Sequence, residues 1–408
     1  MTTHALDWQP TRSAAMAALD DFLPRAGNFY AVHRNEDRGP GDRSNVSRLS
    51  PWLRVRALHE TEVIRAVLTG HRYREAEKFL QEVCWRTYWK GWLQVRPSVW
   101  TDYVAVCDRD RETWQRDERY RQAVSGQTGL DCFDAFVAEL VQTGYLHNHA
   151  RMWFASIWIF TFGLPWQAGA DFFLRHLLDG DPASNTLGWR WVAGCQTVGK
   201  HYVARADNIR HFTGGRFAVT RPLAEHPAPV VAPPLPPPRV LPDVSRYPER
   251  GRVGVVLTDD DAGALRWLAP RERIRAVALA WPGRAYARFG VAGRVVDFRR
   301  AVLRDAVNDA GWGDPVAGFE DEHALPERVV EWARQHRLDA VAVAEPPVGF
   351  WDGIMDQVAA HGAANGITFV QLRHPWDQAC WPHATHGYFR FKEHLPELIG
   401  GITTPLRV

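Results

Sequence analysis

A helical domain followed by a parallel α/β domain is the fold class this sequence predicts, on three observations. The first is apolar spacing before residue 220: Phe133, Phe136, Val137, Leu140 and Val141 recur at i, i+3, i+4, i+7 and i+8, as on a helix with one buried face. The second is the proline-dense stretch from Pro222 to Pro248, which cannot hold a regular helix and reads as an extended connector. The third is a set of short apolar runs beyond it, RVGVVLT (252–258), RAVALAW (275–281), DAVAVAE (339–345) and ITFVQLR (367–373), separated by stretches of helical character such as 351–365. That alternation predicts a parallel, Rossmann-like sheet. The expected division is therefore residues 1–221 all-helical, 222–248 linker and 249–408 α/β.

At 408 residues, 46% hydrophobic, the chain is long enough to bury a large core. A net charge of +2 permits a nucleic-acid partner without requiring one. Five scattered cysteines with no C-x-x-C pair suggest neither a zinc site nor a disulfide framework, and fit a reducing cytoplasm. The opening MTTHALDWQPTRS lacks a signal-peptide pattern, and the most apolar run, Met152 to Trp166, is too short to span a bilayer. A cytoplasmic monomer with no membrane association is expected. No G-x-G-x-x-G or phosphate-loop pattern follows any predicted strand. Nineteen tryptophans against ten tyrosines ask for a reason beyond core packing, such as a redox relay or a stacking surface.

Four segments carry candidate chemistry. In KFLQEVCWRTYWKGW (78–92), Glu82, Trp85, Arg86 and Trp89 fall on one helical face, mixing charge with indole in a way that suggests either an aromatic-walled polar pocket or a helix whose long polar side chains snorkel past the rings to solvent. In TGYLHNHARMWFASIW (143–158), Asn148, Arg151 and Met152 cluster, and an asparagine offers both donor and acceptor to the edge of a base or ring, although taken alone it is more often a helix cap. His147 and His149, two apart on a helix, point in different directions, so no metal site is expected. In LLDGDPASNTLGWRWVAGCQTVGK (177–200), Asp179, Asp181 and Asn185 precede Trp189 and Trp191; the carboxylates suit ligand hydroxyls or a neighbouring arginine, or form no more than a turn and a helix cap. In SNVSRLSPWLRVRAL (44–58), Ser47 and Ser50 stand before a predicted helix, where hydroxyls and free backbone donors can hold phosphate oxygens or simply cap the helix.

Taken in order, these segments resemble the FAD-binding domain of the photolyase/cryptochrome family over most of residues 25–220. The resemblance implies FAD held by Ser47, Leu49, Ser50, Phe79, Arg86, Asn148, Arg151, Asp179, Asp181 and Asn185, with Arg86 paired to Asp179 and Asn185 facing the redox-active ring nitrogen. It implies an electron relay from Trp189 beside the flavin through Trp166 to Trp114 at the surface. It also implies a lesion pocket made by Glu82, Trp85, Asn148, Met152 and Trp191, the set of cyclobutane-dimer photolyases; the (6-4) photolyases carry histidines at the positions of Asn148 and Met152. The implied activity is light-driven repair of cyclobutane pyrimidine dimers in DNA by electron transfer from excited reduced FAD, the damaged bases being flipped out of the helix.

The sequence departs from the family's pattern in three places. His149 stands where dimer photolyases usually have an arginine, and Val46 and Ser47 replace the usual Thr-Ser. The antenna domain that precedes the flavin domain in relatives has only residues 1–24 available to it here. Because HGYFRFKEHLPEL (386–398) resembles the segment that closes the family's antenna domain, the α/β region is expected to be that domain transposed, with an antenna chromophore admitted but unidentified. The rival readings are a cryptochrome-like blue-light sensor without repair activity and a flavoprotein of this fold acting on RNA or another substrate.

Overall fold

The computed structural model describes residues 8–403 apart from Val198, Pro248, Glu249 and 313–315. The last linker residue, Pro248, the first residue of the expected α/β region, Glu249, and its closing residues 404–408 therefore lie outside the described residues. Up to residue 221 the described regular elements are helical: α1 (Arg12–Phe22), α2 (Asn28–His33), α3 (Ser50–Arg54), α4 (Glu60–Gly70), α5 (Tyr73–Gln94), α6 (Ser98–Arg116), α7 (Glu118–Ser125), α8 (Asp131–Thr143), α9 (Asn148–Ser156), α10 (Trp166–His176), α11 (Pro182–Val192) and α12 (Ala206–Phe212). Local sequence sets several of these boundaries. Glu62 and Glu75 close capping boxes at the starts of α4 and α5, and left-handed glycines, Gly126 and Gly144, end α7 and α8. Between α9 and α10 the helix widens into a π turn over Ile157–Thr161 before Pro165.

After the connector come β1 (Val253–Thr258), β2 (Ile274–Ala280), α13 (Gly283–Phe289), α14 (Gly293–Asp309), β3 (Ala317–Phe319), α15 (Leu325–Gln335), β4 (Ala340–Ala344), α16 (Ile354–Ala364), β5 (Thr368–Leu372), α17 (Pro375–Cys380), α18 (Tyr388–Glu393) and α19 (Leu395–Thr403). The strands form one wholly parallel sheet in the order β3-β2-β1-β4-β5. The four apolar runs are β1, β2, β4 and β5. The short edge strand β3 has no such run, being only Ala317, Gly318 and Phe319 with two of the three not buried.

Strand alternation explains how the sheet is used. Val256, Val341 and Val343 point to an outer layer made by α15 and α16, whereas Val253, Val255, Leu257, Ala340 and Ala342 join a core that also contains Ala15 and Leu19 of α1, Leu80 and Val83 of α5, and Ile399 of α19. One apolar core thus runs across the expected domain division. The 22-residue α5 lies at its centre, against α2, α4 and α11, with α17 and α18 also packed on it. The connector is strapped down: Arg239 N–H donates to Val95 O at 2.8 Å, Arg96 Nε to Pro236 O at 2.9 Å, and Arg373 Nη2 to Pro242 O at 3.3 Å.

Candidate functional site

A cavity of about 660 Å³ is walled by α2, α3, α5, α9, α11 and the loop 177–181. The residues expected to touch cofactor or substrate all lie on it: Ser47, Leu49 and Ser50 around the start of α3; Phe79, Glu82, Trp85 and Arg86 on α5; Asn148, Arg151 and Met152 on α9; and Asp179, Asp181, Asn185, Trp189 and Trp191 on the loop and α11. The single helical face read from 78–92 is the reason α5 contributes charge and indole together. Asn148 is not the cap of α9; the buried His147 takes that place, accepting from the His149 N–H at 3.2 Å, and Asn148 stands exposed as the first helical residue.

Arginine and carboxylate organise the wall. Asp179 receives a bidentate fork from Arg151, at 3.0 and 2.8 Å, rather than the expected pairing with Arg86. Arg86 instead lies 3.6 Å from Asp181, because the Asp179 carboxylate is already engaged across the loop by α9. Burial alone would raise the Asp179 carboxyl, yet the Arg151 charge and hydrogen bonds and the Ser50 hydroxyl hold it below the usual carboxylate range. Asp181 caps α11, accepting from Ser184 N–H at 2.7 Å; burial pushes its carboxyl up, and Lys90, Arg86 and Arg54 more than reverse the effect. Glu82 behaves oppositely. Burial dominates and raises its carboxyl although Arg34 pairs with it, so Glu82 retains a proton to higher pH than an exposed glutamate.

The aromatic side chains are held from behind. Trp85 stacks on Tyr388 of α18, centroids 3.4 Å apart and planes 11° from parallel, and Trp191, 37% exposed, stacks on Tyr202 at 6.0 Å. Asn185 is fixed by its Nδ2 donating to Ala170 O at 2.8 Å, which leaves its carbonyl oxygen free of that bond. His149 is occupied within the protein: its ring stacks on Trp153 at 4.4 Å and its Nδ1 lies 3.1 Å from Asn35 O.

Trp166 and Trp114 are not on the cavity wall. Trp189 is, and it packs so closely on α10 that a Cβ at Gly169 would come within 2.2 Å of its ring. Its tryptophan neighbour is Trp158, edge-on at 6.2 Å, while Trp166 stacks on Tyr103 at 5.8 Å. Trp114, expected at the surface, is buried at 6% exposure, because the chain turns back into α7 directly after it, with Asp117 N–H donating to Trp114 O at 3.0 Å. Sequence reasoning missed Arg34, which pairs with Glu82, and Lys90, buried 3.7 Å from Asp181. Lys90 was findable, since it continues the 82–86 face by one more turn.

Residues 79–214 match the family described as the FAD binding domain of DNA photolyase. This segment is a FAD-binding domain of the photolyase/cryptochrome family. The photolyase-type domain is similar to a deoxyribodipyrimidine photo-lyase from Streptomyces griseus, 36% identical over 184 residues that cover 40% of this chain and 38% of the relative. It is also similar to a chloroplastic/mitochondrial cryptochrome DASH from Ostreococcus tauri, 30% identical over 249 residues covering 58% and 45%. The crystal structure of a bacterial class III photolyase from Agrobacterium tumefaciens is 28% identical and covers 51% of this chain and 43% of its own, with a TM-score of 0.43. The chain thus spans less than half the length of these relatives.

The wall of this photolyase-type domain suits FAD. Arg86 Nη1, Asp181 Oδ2 and Ser184 Oγ are buried with no hydrogen-bond partner among the described residues, and all three residues line the cavity. Buried polar atoms left this way favour a ligand that supplies both acceptors and donors. A dinucleotide with phosphates, hydroxyls and a heteroaromatic ring does so, and the cavity is of ordinary size for a small-molecule site.

Proposed function

We propose that the protein is a light-driven photolyase that repairs cyclobutane pyrimidine dimers in DNA. The observation that carries this reading is the gathering of Glu82, Trp85, Asn148, Met152 and Trp191 on the same cavity as Arg86, Asp179, Asp181 and Asn185. The photo-lyases among the similar proteins support it. Reduced FAD, when bound and excited by blue light, supplies the electron that opens the cyclobutane ring.

The chain's own residues have separable tasks. Trp85, backed by Tyr388, and Trp191, backed by Tyr202, offer flat apolar surface to a flipped-out dinucleotide. Asn148, exposed on the wall, is free to pair with a base edge. Glu82 holds a hydrogen bond or a proton at the 5′ base, where negative charge develops, and its raised carboxyl suits that donor role. Arg151, Asp179, Arg86 and Asp181 orient the cofactor. Trp189 would pass electrons inward to the flavin. The parallel sheet packed on the helical part supports reading the α/β region as a transposed antenna domain.

The test is repair of a thymine-dimer oligonucleotide by the purified yellow protein under blue light with reductant, beside a dark control. Light-dependent restoration is expected. Bound FAD with no repair would favour a blue-light sensor instead.

A further inference from the structure

The loop 177–181 presents Asp179 and Asp181 to the cavity, and its central carbonyl is gripped by one arginine of the helical part and one of the α/β part. Gly180 O accepts from Arg299 Nη2 at 2.7 Å and from Arg54 Nε at 3.0 Å. Arg299 belongs to α14, 119 residues further along the chain, and is fully buried. Its other amino group reaches Tyr286 Oη at 3.1 Å and Asp259 at 3.4 Å, and Tyr286 itself donates to Asp259. Arg54 Nη1 continues the array to Asp260 Oδ1 at 2.6 Å. Asp259 and Asp260 follow directly on β1, at the carboxyl end of the sheet where α/β folds commonly receive ligands. Here arginines fill that position. A Cβ at Gly180 would stand 2.9 Å from Leu177 O and 3.3 Å from Leu174 O, so the turn itself favours glycine at its apex, while Arg299 Nη2 at 3.7 Å would remain in ordinary contact.

We infer that Arg299 is a positioning residue for the flavin pocket, through which the α/β part sets the loop that carries Asp179 and Asp181. This rests on the FAD reading of the cavity. Arg299 touches neither face of the cavity; it fixes the backbone between two carboxylates that do. Two charge-assisted bonds converge on one buried carbonyl, and removing one frees the loop to shift. Seating of the α/β part and flavin binding then become one coupled equilibrium, and each strengthens the other.

The test compares Arg299→Met with Arg288→Ala in the full chain. Arg288 pairs with Asp108 between the same two parts but makes no contact with the loop. FAD affinity is read by flavin-fluorescence titration of apoprotein, with the absorption bands of bound flavin and the far-ultraviolet circular dichroism beside it. Arg299→Met is expected to weaken FAD about tenfold and shift the bound-flavin bands, Arg299→Lys to recover part of the loss, and Arg288→Ala to stay within about twofold of wild type. Wild-type affinity in Arg299→Met overturns the inference, as does an equal loss in Arg288→Ala, which would make the effect one of general docking. Should Arg299→Met fail to fold, Tyr286→Phe, which removes one partner of Arg299, gives the same reading with an expected loss of severalfold. Wild-type protein that takes up no FAD overturns the flavin reading itself, and the inference with it.

Discussion

Around the cavity, Arg86, Arg151 and Glu82 keep 12%, 23% and 29% of their side chains exposed, whereas Arg54 and Arg299, between the helical and α/β parts, keep none. Both clusters are made of arginine and carboxylate. In the first, Arg86 Nη1 and Asp181 Oδ2 face each other at 3.6 Å without a hydrogen bond, leaving capacity for a ligand. In the second, donors go to Asp260, Tyr286 and the Gly180 carbonyl, and access is closed. The difference teaches that neither residue type nor leftover bonding capacity separates a binding cluster from a cohesive one, since Arg54 Nη2 and Arg299 Nε also have no hydrogen-bond partner among the described residues; access does.

The sharpest way to break that comparison is Arg54→Met. Removing one partner of a buried pair leaves Asp260 without its arginine, and a loss of about 3–5 kcal/mol in denaturant unfolding is expected. A loss under about 1 kcal/mol would mean the seam is not cohesive.

Acid should loosen both regions together. Burial lowers His374, stacked on His59 at the seam, to about 3, His147 beside the cavity to about 3, and His176 to about 4. Below its unfolded pKa near 6.5 each of these binds a proton in the unfolded chain before it does in the folded one. The stability they contribute is therefore complete above about pH 6.5 and lost as pH falls toward 4. Thermal midpoints measured across that window should drop, and a flat profile would contradict the neutral, buried assignment.

Two substitutions at Asp181 separate cap from ligand chemistry. Asp181→Ala is expected to cost about 1 kcal/mol from the lost cap of α11 and to lose FAD, whereas Asp181→Asn should keep the cap, since asparagine caps as well, and still bind FAD poorly. Equal FAD content in Asp181→Asn and wild type would show that the charge beside Arg86 and Lys90 is not what the ligand requires. Trp189→Phe trims a buried ring and is expected to cost about 1–2 kcal/mol of stability, with flavin photoreduction abolished while repair by chemically reduced enzyme persists. Loss of both activities would contradict a relay role.

How much of this was legible in the sequence follows from the range of each interaction. Periodicity placed Glu82, Trp85 and Arg86 on one face of α5, and apolar runs marked four strands, because both signals lie within a few residues. Edge strand β3 was invisible for want of such a run. The Arg151–Asp179 fork displaced the expected Arg86 partner because two arginines competed for one carboxylate, a choice made by the crossing of α9 over the loop and not by spacing. The stretch TDDD (258–261) reads as a polar turn, yet Asp259, Asp260 and Asp261 are buried, since their partners Arg54 and Arg56 come some 200 residues earlier. Trp114 likewise looked like a surface ring until α7 folded back over its turn.

The grip on Gly180 also has a calendar. Arg54 emerges from the ribosome 206 residues ahead of Asp260, and the loop is made long before Arg299. During synthesis the helical part therefore waits with an arginine and a backbone carbonyl that belong in the interior still facing water. A nascent protein arrested at the proline strap would carry every residue that lines the cavity and every proposed flavin contact, but not Arg299, the residue proposed to brace the loop between Asp179 and Asp181.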